Sequence, residues 1–160
     1  MERLIDAALA GASAVREGRP IGPFRGSRKA DGSLVTDSDY TSQAAIIDAI
    51  HKNFPGADIL AEEHPYSFTA RGLKRELLVV DPLDGTTNFT LGLTIWAISI
   101  ALFQDCELVA GVVVQPDTGD LYYARVLSVW GGGAVIWRMR SSHSSTILLT
   151  QTVATSGGGG

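Results

Sequence analysis

With 160 residues, 45% hydrophobic and 19% charged, the chain holds material for one globular core and is too short for two sizeable domains. Its net charge of −4 speaks against nucleic acid as a general partner, because gripping a phosphate backbone takes a basic surface. A single cysteine, Cys106, no apolar signal block at the N-terminus, and an apolar region (Leu91 to Phe103) shorter than the roughly 18–20 residues of a membrane helix together predict a cytoplasmic chain with no membrane partner.

From about Glu2 to Glu17 the residues Leu4, Ile5, Ala8, Leu9, Ala12 and Val15 recur at helical spacing, and Gly18-Arg19-Pro20 ends the run. Ile21 to Arg28 has no period and reads as a connecting loop. Next, Lys29-Ala30-Asp31-Gly32-Ser33-Leu34-Val35-Thr36-Asp37-Ser38-Asp39 is a turn and a short extended piece leading into a second helix. That helix starts near Asp39, an N-cap candidate, carries Ala44, Ile46, Ile47, Ile50 and Phe54, and stops at Pro55-Gly56. Ile59-Leu60-Ala61 is a short buried strand followed directly by Glu62-Glu63, which on its own reads as a solvated turn. Two neighbouring carboxylates on an extended backbone point to opposite sides, so one of them faces any given cation. His64 lacks a second histidine at ligand spacing and reads as an exposed loop residue, and Pro65 to Lys74 is polar and turn-rich.

Leu77-Leu78-Val79-Val80 predicts a buried strand that delivers Asp81-Pro82-Leu83-Asp84-Gly85-Thr86-Thr87-Asn88-Phe89 to the end of a sheet. Pro82 stiffens the backbone between two carboxylates, with carbonyls expected to point outward, where hard cations take oxygen. Gly85 permits a sharp turn, and Thr86-Thr87-Asn88 resemble the first turn of a helix, a place for phosphate. The competing reading is a plain Asp-Gly turn. Thr94 to Phe103, Leu108 to Val114 and Leu121 to Ala124 then predict sequential strands, joined by turns at Gln104 to Glu107 and Pro116 to Gly119, in an antiparallel meander.

Beyond about Val126 the composition changes. Up to Asp120 the chain carries all 17 acidic residues; the remainder has three basic residues (Arg125, Arg138 and Arg140), no acidic ones, and runs such as Gly131-Gly132-Gly133 and Gly157 to Gly160. Such bias reads as flexible rather than packed, so residues 126–160 are expected to be an atypical, poorly ordered or frameshifted Gly/Ser-rich tail, unlike residues 1–125.

Three stretches in order (Lys29 to Asp39, Glu62-Glu63, and Asp81 to Phe89) resemble the motifs of the inositol monophosphatase family, within the magnesium-dependent, lithium-sensitive phosphatases. The resemblance covers roughly Met1 to Arg125. It implies an α+β fold of the layered α/β sandwich type, with N-terminal helices on a largely antiparallel sheet and the second half missing. It further implies Mg²⁺-dependent hydrolysis of a phosphate monoester: Glu62, Asp81 and the Leu83 carbonyl holding one ion, Asp81 and Asp84 a second. Asp39 and Thr86 would align the attacking water, while Gly85, Thr86 and Thr87 bind the phosphate. Lys29 would lie on a mobile loop over the site, or be a solvated loop lysine. The substrate class is a small phosphate ester, inositol phosphate first, with bisphosphate nucleotides, histidinol phosphate and fructose bisphosphate as alternatives, and a homodimer is left open. Trp130 and Trp137 are not followed by Asp, so the Trp-Asp motif that completes the second ion site in that family is absent; the chain is expected to have reduced or no activity, or to be a non-catalytic remnant associating with an intact homologue.

Overall fold

A computed structural model describes residues 2–19, 26–30, 32–63, 76–127, 133–141 and 147–155, with side chains through Val126. Most of the expected loop from Ile21, together with His64 and the segment from Pro65 to Lys74, lies outside the described residues.

The first helical run forms α1 (Glu2–Glu17), which buries Leu4, Ala7, Ala8, Gly11, Ala12 and Val15. Leu9, expected on this stripe, is exposed, because the stripe follows residues 4, 8, 11 and 15. A short antiparallel hairpin comes next, β1 (Gly26–Arg28) on β2 (Leu34–Thr36), where a loop had been expected up to Arg28. It leads into α2 (Asp37–Asn53), packed along α1. Ile46, Ile47 and Ile50 are buried as expected, but Ala44 is exposed, and the polar Ser42 and Gln43 are buried beside them. The two helices are in tight contact at Gly11, where a Cβ would stand 2.7 Å from Ile46 Cγ1.

Seven strands then form one sheet among the described residues: β3 (Asp58–Ala61), β4 (Glu76–Asp84), β5 (Ala97–Gln104), β6 (Glu107–Gln115), β7 (Asp120–Leu127), β8 (Gly133–Ser141) and β9 (Ile147–Thr155), in that spatial order. Only the β3–β4 pair is parallel; every later pair in the sheet is antiparallel, the expected meander. The architecture is α+β. The β5–β6 connection is tight, with Asp105 and Cys106 both at positive φ (50° and 68°), the twist-matched geometry of a two-residue hairpin. Residues 133–141 and 147–155, expected from composition to be flexible rather than packed, run as strands. Val135-Ile136-Trp137 and Ile147-Leu148-Leu149 carry the branched and aromatic residues that favour extended backbone, a local signal that the surrounding glycines and serines mask.

One face of the sheet packs against the helices through Leu78, Val80, Ile98, Ile100, Val112 and Val114. The alternate residues Leu60, Val79, Ala101 and Val113 line a cavity of about 840 Å³ on the other face. No described helix is long and apolar enough to cross a membrane.

Between β4 and β5 lies α3 (Thr86–Thr90), whose Phe89 is buried and meets Trp96 edge-on with centroids 4.9 Å apart. Trp96 Nε1 donates to Asp117 Oδ2 at 2.8 Å, Arg19 pairs with Asp117 Oδ1 at 3.1 Å, and the Arg19 guanidinium lies over the Phe89 ring. The end of α1, the β6–β7 turn and α3 are thus fastened at one point. Gly85, which precedes α3, has φ +89°, and a Cβ there would stand 3.1 Å from the Ile95 carbonyl oxygen. Gly85→Ala should therefore lower stability in a denaturant titration by about 1–2 kcal/mol, the cost of placing a Cβ in left-handed backbone; an unchanged midpoint would contradict this account of the turn.

Candidate active site

The polar residues of α2 organise the site. Thr36, in extended conformation (φ −124°, ψ 168°), caps the helix, and its hydroxyl accepts from the Ser38 amide. Asp39, expected as the cap, is instead the third helical residue and completes a capping box: its Oδ2 accepts from the Thr36 amide at 2.8 Å and from the Thr36 hydroxyl. Only 1% exposed, Asp39 needs such donors, since a buried carboxylate without them is costly. Its other oxygen, Oδ1, accepts from Thr86 Oγ1 at 2.9 Å, across 47 residues of sequence.

Ser42 and Gln43, three and four residues after Asp39, lie on the same helical face. Ser42 Oγ donates to the Pro82 carbonyl at 2.7 Å, and Gln43 Oε1 accepts from the Glu63 amide at 3.0 Å. The Pro82 carbonyl, expected to point outward toward a cation, is directed into the protein. The Leu83 carbonyl oxygen lies 3.1 Å from the same Thr86 Oγ1, as the second, longer acceptor for its single proton. Contrary to the expected strand end before Asp81, β4 continues through Asp84, with a break in register against β5 between Asp81 and Asp84. That break is where Asp81 Oδ1 accepts from the Leu83 amide at 3.1 Å, so the carboxylate that closes a local turn is Asp81 rather than Asp84. As expected, Thr86, Thr87 and Asn88 open a helix directly after Gly85.

Glu62 and Glu63 follow β3, and both reach the same cation: Lys29 Nζ is 2.8 Å from an oxygen of each. The expectation that neighbouring carboxylates face opposite sides fails because the pair lies in a bend beyond the strand. Glu62 in turn is in hydrogen-bond contact with Asp81. Burial, then the charge and hydrogen bond of Glu62, and more weakly the charge of Asp84, push the Asp81 carboxyl up to about 7. Burial also raises Glu63, against the pull of Lys29. For Lys29, burial lowers its proton affinity, but the hydrogen bonds and charges of both glutamates outweigh it and hold it above the ordinary lysine range.

Two groupings therefore stand side by side, Thr36–Asp39–Thr86–Leu83 and Lys29–Glu62–Asp81. The second is looser than the sequence implied. Among the described residues no three carboxylate, histidine or cysteine groups are gathered closely enough to hold a metal ion between them; Asp84 is exposed, beyond the register break, and acts on Asp81 only through its charge.

The family model for the inositol monophosphatase family matches residues 2–157, past the Arg125 limit of the motif resemblance. The chain is 34% identical over 151 residues to an inositol-1-monophosphatase of Mesorhizobium japonicum, covering 94% of this chain and 54% of that one. It is 35% identical over 124 residues to a fructose-1,6-bisphosphatase/inositol-1-monophosphatase of Thermotoga maritima, covering 78% and 45%. Among solved structures, the extragenic suppressor protein SuhB of Bartonella henselae superimposes with a TM-score of 0.70 at 28% identity, over 82% of this chain and 49% of that one. The chain belongs to the inositol monophosphatase family. It spans about half the length of the curated relatives it matches.

Within this family member, sequence reasoning missed Thr36, Ser42 and Gln43 as residues that position the site. Their signal was the spacing from Asp39, legible once a helix is assumed to begin at Asp37. The sign of the Asp81 shift gives a prediction. Its carboxyl rises from 3.8 to about 7 on folding, so its contribution to stability is fully present below pH 4 and lost as pH rises through 7. In the metal-free chain, Asp81→Asn should therefore raise the melting temperature relative to the unchanged chain by more at pH 8 than at pH 4; equal differences at both pH values would contradict the assignment.

Proposed function

We propose that the chain is the catalytic portion of a Mg²⁺-dependent phosphate-monoester hydrolase acting on an inositol phosphate or a similar small phosphate ester. What carries the reading is the Thr86 hydroxyl donating to Asp39 at 2.9 Å, beside a Glu62–Asp81 pair that needs a cation. A hydroxyl that donates to a carboxylate keeps its own lone pairs for accepting. Thr86 would therefore accept a hydrogen bond from an attacking water and turn that water's free lone pair toward phosphorus; as the water gives its proton to the Thr86 oxygen, the Thr86 proton passes to Asp39 Oδ1, which Thr36 holds in place.

The donors present suit a hard divalent ion: Glu62 and Asp81 as carboxylates in contact, the Leu83 carbonyl, and Asp84 as a further carboxylate beyond the register break. In the proposal Glu62, Asp81 and Leu83 hold one ion, and Asp81 and Asp84 a second. When bound, Mg²⁺ supplies the positive charge that offsets the phosphate and makes water a better nucleophile. The opening amides of α3, after Gly85 and at Thr86 and Thr87, have no acceptor within a helix and would take phosphate oxygens. The two activities in the name of the Thermotoga relative keep a sugar bisphosphate as the alternative substrate.

A second reading, a non-catalytic chain that docks onto an intact homologue, is favoured by the cavity of about 840 Å³ that described residues line on the other face of the sheet. Phosphate release from inositol 1-phosphate, measured with and without Mg²⁺, separates the two. The hydrolase reading expects Mg²⁺-dependent release that falls at least roughly 100-fold in Asp81→Asn, the scale of losing a group that carries developing charge. No release, with retention of a full-length relative in a pull-down, would overturn it in favour of the second reading.

A further inference from the structure

The contacts of Lys29 give it a definite place beside the site. Its backbone is fixed in the turn between β1 and β2, the amide donating to Ser33 O at 2.8 Å and the carbonyl accepting from the Gly32 amide at 2.9 Å. From there the ammonium reaches Glu62 and Glu63 at 2.8 Å each, and is itself largely covered, with 22% of its side chain exposed. Its two partners are unequal. The Glu63 side chain is 2% exposed and its amide is tied to Gln43 on α2, whereas the Glu62 side chain is 47% exposed and also meets Asp81. Separating a buried carboxylate from its counter-ion is strongly unfavourable, while a half-exposed one exchanges partners at little cost.

We propose that Lys29 is a resident counter-charge that competes with a divalent cation for the Glu62 carboxylate, with Glu63 as the anchor that keeps the lysine in place. In the metal-free chain the ammonium offsets the repulsion between Glu62 and its neighbours Glu63 and Asp81. When a divalent ion takes the Glu62 oxygen, Lys29 gives up that contact and keeps Glu63, so the ammonium stays beside the site. Lys29 is thus a positioning residue that sets how tightly the site takes its ion. The inference rests on Glu62 being a cation ligand, as in the proposed function.

The test is calorimetric titration of the full chain with MgCl₂, read as dissociation constant and not as activity. Lys29→Met should bind Mg²⁺ roughly two- to fivefold more tightly than the unchanged chain, the range of a partly exposed ion pair, and the gain should vanish when Glu62→Gln is also present. An unchanged or weaker affinity in Lys29→Met overturns the proposal, as does a gain of the same size in the Glu62→Gln background, which would mark a long-range field and not competition. Should Lys29→Met fail to fold by circular dichroism, amine acetylation of the unchanged chain decides. Labelling of Lys29 relative to Lys52 rises on adding Mg²⁺ if the lysine is displaced, and a constant or falling ratio overturns the idea. Binding by the unchanged chain that is indifferent to Lys29 removes this inference alone, whereas no Mg²⁺ binding by either chain removes the hydrolase reading with it.

Discussion

Asp39 uses both of its oxygens across a junction: one closes the first turn of its own helix through Thr36, the other holds Thr86 at the start of α3. A carboxylate this buried tolerates no missing donor, so the end of β2, the start of α2 and the first residue of α3 are fixed relative to one another. Ser42, one turn further along the same helical face, extends the hold to the Pro82 carbonyl between Asp81 and Leu83. A rigid helix thereby sets the geometry of an acidic segment that would otherwise separate by its own repulsion.

That repulsion remains visible. Asp81 is pushed toward neutral pH by burial and by Glu62, and Lys29 is drawn in against Glu62 and Glu63. The like charges of Glu62 and Asp81 are thus offset on one side by Lys29, which reaches Glu62 and Glu63. The same edge opens onto the other face of the sheet, since Glu62 and Asp81 line the cavity that continues over Val79 and Ala101. Site and cavity are therefore one surface.

Much of this was legible in the residues. The period of α1, the sequence of strands β5 through β7 and the Gly85 turn each follow from a local rule, and these appear as expected apart from small shifts at the ends. The motif at Asp81 to Phe89 gave the strand, the turn and the short helix in order. What was not legible depends on partners distant in sequence. The Pro82 carbonyl turns inward because Ser42 is there to meet it, and Glu62 and Glu63 share a cation because they lie past the strand end. Asp39 looked like a cap by residue type, yet Thr36 took that role, since a capping box reads the same either way until the backbone of Thr36 is known. Strands β8 and β9 were hidden by glycine and serine around short branched runs, where composition outweighed pattern.

The central claim is that Glu62, Asp81 and Asp84 take a divalent ion beside the Thr86 hydroxyl held by Asp39. Paramagnetic broadening of backbone amide resonances by sub-stoichiometric Mn²⁺ tests it most directly. The account predicts selective loss of the signals of Glu62, Asp81, Asp84 and Thr86, reversed by excess Mg²⁺, with the signals of α1 unaffected. Broadening centred elsewhere, or spread evenly over the exposed carboxylates, would contradict it.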